Sequence, residues 1–320
     1  MYKRLLVLVS VLASASAVHA QTYPAKPVRL IVTWAAGGTT DVAARIVAQK
    51  LSESWPHQVV VENRPGAGGT IGGAVAAKSA ADGYTLLLGS STEMVVSPHV
   101  YKTAAYNTLR DFVPVANAGS QPLVLVVNPK LSAKSVQELI SIAKAQPDSL
   151  HHASAGNGST LHLAQALFEN ATGVKLVHVP YGGSPQAAMA AVSGDAQVHF
   201  ASLTAVLDLV RSGRLRGLAT TGSKRAPSLP DLPTMMEAGV PNFDLIIWNF
   251  MFAPQGTPAE ITSKLNSDMI RIMEGKDVQE SLAKLSMDYS PMTRQQLSAM
   301  VASEWNRVGK IVTAAGMKVD

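Results

Sequence analysis

An α/β fold in two domains is predicted by three observations. The chain has 320 residues, 47% of them hydrophobic and 15% charged, which is enough apolar material for more than one core. Short apolar runs bounded by glycine alternate with helix-periodic segments, the pattern of strand and crossover helix. The same local design, a strand, a glycine turn, a hydroxyl-bearing residue and then a helix, recurs at residues 28–41, 151–163 and 177–185.

The first of these units organises the reading. Val28–Val32 is aliphatic apart from Arg29, as suits a buried parallel strand. Gly37 and Gly38 turn the chain, Thr39, Thr40 and Asp41 are N-cap candidates, and Val42, Ile46, Val47 and Leu51 fall on one helical stripe. Free N–H groups at such a helix start form a seat for an anion. Two strands follow, at Val59–Val61 and Tyr84–Leu88, the second ending in Gly89-Ser90-Ser91-Thr92. Ligands of open α/β sheets gather outside the carboxyl ends of strands, which is where these small polar residues stand.

From Pro122 the pattern restarts, with a strand at Leu123–Val127 and a helix at Ser135–Ala145. His151–Leu163 and Val177–Pro185 then repeat the opening unit, with Pro185 placed for a first helical turn. Strands are expected at Ala196–Phe200 and Leu215–Thr220, and a proline-rich connection at Ser223–Pro241 with a short helix around Met235. After the apolar run Leu245–Phe252, long helices at Pro258–Glu274 and Thr293–Ala315, with a shorter one between them, return to pack on the first domain.

Residues 1–20 read as a cleavable secretory leader, with Lys3 and Arg4 ahead of the apolar run Leu5–Leu12 and Ala20 at the cleavage point. Removing those two from the 27 basic residues leaves about +3, too small an excess to suggest nucleic acid. The chain holds no cysteine, which excludes disulfides, thiol nucleophiles and zinc–thiolate sites.

Enzyme motifs are scarce. Gly66, Gly68 and Gly72 miss the dinucleotide fingerprint because the third glycine comes one place late, and no acidic ribose partner follows at a suitable distance. There is no phosphate-binding loop, no H-E-x-x-H and no G-x-S-x-G. His151 and His152 are adjacent on a strand and point to opposite faces, so they cannot share a metal. His162 lies one helical step after Ser159, a capping or packing position. Trp248 and Phe250 suit a core, whereas Trp34 abuts the glycine turn. No catalytic residue, metal site or cofactor is assigned. An exported α/β hydrolase is the alternative, and it would need a nucleophile, base and acid meeting in one cleft.

Six segments in order carry a family resemblance: Trp34–Asp41, Glu62–Gly69, Ala81–Leu87, Tyr181-Gly182-Gly183, Ala253–Pro258 and the leader. Together they resemble the substrate-binding proteins of tripartite tricarboxylate transporters, the Bug proteins first named from Bordetella. The resemblance implies a periplasmic binding protein of type II-like fold, with two α/β domains joined by two hinge strands and a ligand cleft between them. It implies domain 1 at residues 21–120 plus 250–320 and domain 2 at 121–249, with crossings near Pro114–Pro122 and Trp248–Phe252 that close on the ligand. The protein is then expected to act as a monomer without nucleic acid. It would pass a small organic carboxylate to integral membrane subunits.

In such proteins loop amides and hydroxyls hold the carboxylate. Carried onto matching positions, this assigns Ala36, Gly37, Gly38, Thr39 and Asp41, with Ser91 and Thr92, from the first domain. Asn157, Gly158, Ser159, Thr160, Tyr181 and Gly182 come from the second. Two departures refine it. Thr33-Trp34 stands where the family has Pro-Phe, which makes Trp34 a stacking candidate for an aromatic acid. Ala201-Ser202 follows Phe200 where the family has Asp, so Ser202 joins the candidates, and a ligand with an ammonium group is disfavoured.

Overall fold

The computed structural model describes residues 23–319, so the leader read at residues 1–20 lies outside the described residues. β1 (Val28–Val32) runs into α1 (Thr39–Ser54), and β2 (Val59–Asn63) into α2 (Thr70–Ala77). β3 (Thr85–Ser90) ends in a widened turn at Thr92–Val96, followed by the single turns α3 (Ser97–Val100) and α4 (Thr108–Asp111). The 16-residue β4 (Phe112–Val127) comes next, then α5 (Val136–Ala145), β5 (His151–Ser154) and α6 (Thr160–Thr172). β6 (Val177–Pro180), α7 (Ser184–Ser193), β7 (Val198–Ser202), α8 (Leu203–Arg211) and β8 (Arg216–Thr220) follow. The chain closes with β9 (Ile246–Pro254), α9 (Ala259–Met273), α10 (Lys276–Lys284) and α11 (Arg294–Ala314).

The strands lie in the order β2-β1-β3-β9-β4-β7-β5-β6, with β8 also on β4. β1 pairs in parallel with β2 and β3, and β5 in parallel with β6 and β7. Between these groups run β4 and β9, antiparallel to each other from Phe112↔Pro254 to Pro122↔Ile246. β9 also pairs with β3 through Asn249–Phe252, whereas Leu123–Val127 of β4 pairs with β7. A strand as long as β4, roughly 50 Å at about 3.3 Å per residue, can serve one group with its first half and the other with its second. β1–β3 with their helices form one lobe, β5–β8 with theirs the other, and the cleft lies above the shared pair.

Alternation along the strands builds the cores. Leu30 and Val32 face α1 and α9, packing with Leu51, Leu86 and Met269, while Ile31 and Leu87 face a second cluster that runs through Phe252 and Phe250 to Phe200 and Phe168. Trp248 and Phe250 are fully buried and stacked at 4.4 Å, the core role read for them. The stripe of α1 is shifted from the expected one: Ala43, Ala44, Val47, Ala48 and Leu51 are buried, whereas Val42 and Ile46 are only partly covered. Small alanines let α1 lie close on the sheet, which turns Val42 toward the cleft. The helix expected around Met235 is instead a turn tied by Met235 N–H to the Thr220 carbonyl, because the strand end supplies the acceptor that a helix would have provided.

The glycine-rich entry to α2 reflects close packing. A Cβ on Gly72 would lie 2.7 Å from the Arg64 carbonyl oxygen and 3.0 Å from Thr33 Cγ2. Backbone cannot swing aside as a side chain can, so Gly72→Ala should destabilise the fold by about 1–3 kcal/mol in urea unfolding. An unchanged midpoint would show that α2 has slack.

Candidate ligand-binding cleft

Four helix starts converge on one cavity of about 470 Å³ between the lobes. α1 begins after Gly38, α7 after Gly183 and α8 after Ser202, and none of the three is capped by a side chain. α6 begins after Ser159, whose Oγ accepts from His162 N–H at 3.2 Å. None of the residues lining the cavity is acidic, basic or histidine. An anion entering it meets the positive ends of helix dipoles and backbone or hydroxyl donors, with no compensating cation.

The first wall is held from behind. Asp41 is buried beneath the turn, where its Oδ2 accepts from Gly37 N–H at 2.9 Å and its carboxylate takes two bonds from Arg45, both at 3.0 Å, and one from Asn63 at 2.8 Å. Burial pushes its carboxyl up, but those bonds outweigh burial and leave it below the usual carboxylate range. The Gly37 amide is therefore engaged by Asp41.

Glu93 supports Trp34 in the same way. Its carboxylate is wholly buried and accepts from Thr33 Oγ1 at 2.7 Å, from Trp34 Nε1 at 3.1 Å, and from both the amide and the hydroxyl of Ser90. Burial raises its carboxyl above the ordinary value against these bonds. Trp34 and Ser90 both line the cavity, so the glutamate anchors two parts of one wall.

The lobes touch across the cleft. Thr39 Oγ1 lies 2.7 Å from Thr204 Oγ1, and Thr92 Oγ1 lies 2.7 Å from Thr160 Oγ1. Ser97 donates to the Gly158 carbonyl at 3.2 Å, and the Tyr101 hydroxyl to the Asn157 carbonyl at 3.0 Å.

Of the residues assigned from sequence, Trp34, Ala36, Gly37, Gly38 and Thr39 line the cavity from the first lobe with Thr92, and Ser159, Gly182 and Ser202 line it from the second. The others stand beside it. Asp41 and Ser91 are buried behind the wall, and Thr160 is buried against Thr92. Asn157 and Gly158 meet α3 and Tyr101 at the lobe contact. Tyr181 packs against Ala153 and Ala187.

The cavity also takes residues that sequence reasoning passed over, among them Gln121, Gln186, Thr204, Ile247 and Leu285. Gln121 carried a weak signal, a single amide between Ser120 and Pro122 on a strand otherwise bound for the core. Leu285 carried none, since its place depends on where α10 ends.

Beneath the second wall lies a histidine cluster. His162 stacks on His178 at 3.7 Å and 4°, and its Nδ1 accepts from Gly158 N–H at 3.4 Å. His178 Nε2 is 2.6 Å from Ser154 Oγ, His199 Nδ1 is 2.8 Å from the Ala153 carbonyl, and His152 Nε2 accepts from Phe200 N–H at 3.1 Å. Burial pushes His162 down to about 3 and His178 and His199 down to about 4, and it holds His152 well below the ordinary value. Among the described residues no group of three or more His, Asp or Glu could hold a metal ion.

Two α/β lobes sharing two strands, with an uncharged cleft walled by helix starts, define a solute-binding protein. The chain belongs to the tripartite tricarboxylate transporter receptor family, whose model matches residues 43–317. It is 40% identical over 306 residues to protein BugT of Bordetella pertussis, covering 95% of this chain and 94% of that one. Two solved structures from Rhodopseudomonas palustris are also similar. Rpa4515 with adipate has 35% identity and a TM-score of 0.84, covering 92% of this chain and 98% of the other. MatC with bound malate has 30% identity and a TM-score of 0.82, covering 91% and 100%. The two-domain binding-protein fold expected from the sequence is thus shown.

Proposed function

We propose that the protein is a periplasmic receptor that captures a small mono- or dicarboxylate lacking an ammonium group and delivers it to the membrane subunits of a tripartite transporter. One observation carries this reading: a cavity without a charged side chain into which three uncapped helix starts and a fourth, capped one converge. Such a lining stabilises a carboxylate through dipoles already in place, and it offers no acidic partner to an ammonium. The dicarboxylates bound by the adipate and malate neighbours support the class. Residues 21–120 with 250–320 and residues 121–249 serve as the two domains, hinged where β4 and β9 pass between them. The ligand favours closure by bridging Gly38–Thr39 and Ser159 with Gly182–Gly183. Trp34 gives an aromatic acid a ring to stack on. Among the described residues no helix is long and apolar enough to cross a membrane.

A thermal-shift panel of succinate, malate, adipate, benzoate and aspartate tests this. A true ligand at 100 times its Kd adds about 2.7 kcal/mol of stability, several degrees in Tm, and aspartate should add none. The Thr39→Val, Thr204→Val double variant should weaken the best ligand about threefold to tenfold by removing the latch between lobes. No shift with any acid at millimolar concentration would end the proposal.

A further inference from the structure

Gln121 lines the cavity yet is 2% exposed, and its Oε1 has no hydrogen-bond partner. It sits on β4 opposite Ile247 of β9, so it belongs to the floor where the shared strands pass under the cleft. Buried side-chain polar atoms are almost always bonded, and one left open beside a ligand cavity is completed by what enters that cavity. An amide offers two donors and one acceptor, and rotating it by about 180° only exchanges their places. As the amide lies, the open atom is the oxygen, and it asks for a donor.

The surrounding hydroxyls are already engaged. Thr39 is bonded to Thr204, Ser159 to the Gly156 carbonyl and Ser184 to Ser202, while the neighbours Ile247 and Leu285 are apolar. An ionised carboxylate can accept from the amide but has no hydrogen to give its oxygen. An ammonium could give one, but the lining has no acidic side chain to offset its charge. A hydroxyl both donates and accepts without charge. We infer that Gln121 is a specificity-determining residue that reads a hydroxyl on the ligand, so that the receptor prefers hydroxycarboxylates to their unsubstituted counterparts. This rests on the proposed carboxylate-binding function and narrows it.

Isothermal titration with two ligand pairs, malate against succinate and 3-hydroxyadipate against adipate, tests it, since each pair differs by one hydroxyl. In the wild type the hydroxylated member of the pair that binds should be at least about tenfold tighter, the discrimination expected from a buried polar group left unpaired by the analogue. Gln121→Met keeps the length of the side chain but removes its amide, and it should bring that ratio to within about threefold. Gln121→Leu is the second variant, and circular dichroism of the unliganded proteins checks that both fold. Equal affinity for the two members in the wild type, which needs no variant, overturns the inference, as does a wild-type ratio retained in a folded variant. Failure of all four acids to bind would instead overturn the carboxylate reading beneath it.

Discussion

Glu93→Ala should lower stability by about 3–5 kcal/mol and abolish measurable carboxylate binding, a larger loss than from any single change in the cavity lining. The carboxylate is the common acceptor for Thr33, Trp34 and both donors of Ser90. The two hydroxyls can rotate to other acceptors, but the part-buried Trp34 indole and the buried Ser90 amide are fixed, and a fixed buried donor left open costs about 1–3 kcal/mol. The void left by the side chain adds to this. Glu93→Gln separates packing from acceptance. It fills the same space but turns an NH₂ toward one set of donors, so it should remain destabilised by at least about 2 kcal/mol. Urea unfolding reads the first effect and Trp34 fluorescence the second. Near-normal stability of Glu93→Ala would show that the wall does not depend on this carboxylate.

Acidification should weaken the protein well before its exposed carboxylates titrate. A histidine whose folded pKa lies below its unfolded value of about 6.5 leaves stability untouched above that pH, and stability falls as pH drops toward the folded pKa because the unfolded chain binds the proton first. For His199, fully buried and pushed down to about 4, the loss between pH 7 and pH 5 is about 2 kcal/mol. His162, His178 and His152 act in the same direction, with Glu169 opposing at His178. Glu93, held high by burial, titrates with the opposite sign and reduces the net slope without reversing it. Ligand affinity should hold over the same range, since His162, pushed down to about 3, stays neutral in the folded protein and keeps accepting from Gly158. Tm measured from pH 7 to pH 5 should drop steadily, and His199→Gln should flatten the slope. A Tm independent of pH across that interval would contradict the burial of these rings.

The start of α1 shows where sequence reading stops. The glycine turn and the helix after it followed from the local order of residues, but Thr39, Thr40 and Asp41 were all candidates for the cap. In the fold Gly38 holds the cap position and Asp41 reaches back to Gly37, because Arg45 and Asn63 fix its carboxylate from the other side. Asn63 lies 22 residues away and its contribution had no local trace. The histidines make the same point. Positions 152, 162, 178 and 199 sit on four separate elements, and only the order β7-β5-β6 with α6 laid across it brings their rings together.

Strands, glycine turns and helix starts were legible in the chain because they depend on residues within a few places of one another, where steric preference and apolar period act directly. The meeting of Thr39 with Thr204, 165 residues apart, and the setting of Gln121 in the lining of the same cavity were not legible. Those depend on how far β4 and β9 run together before each turns to its own lobe, and strand length in a shared sheet is fixed by pairing partners rather than by the strand's own residues.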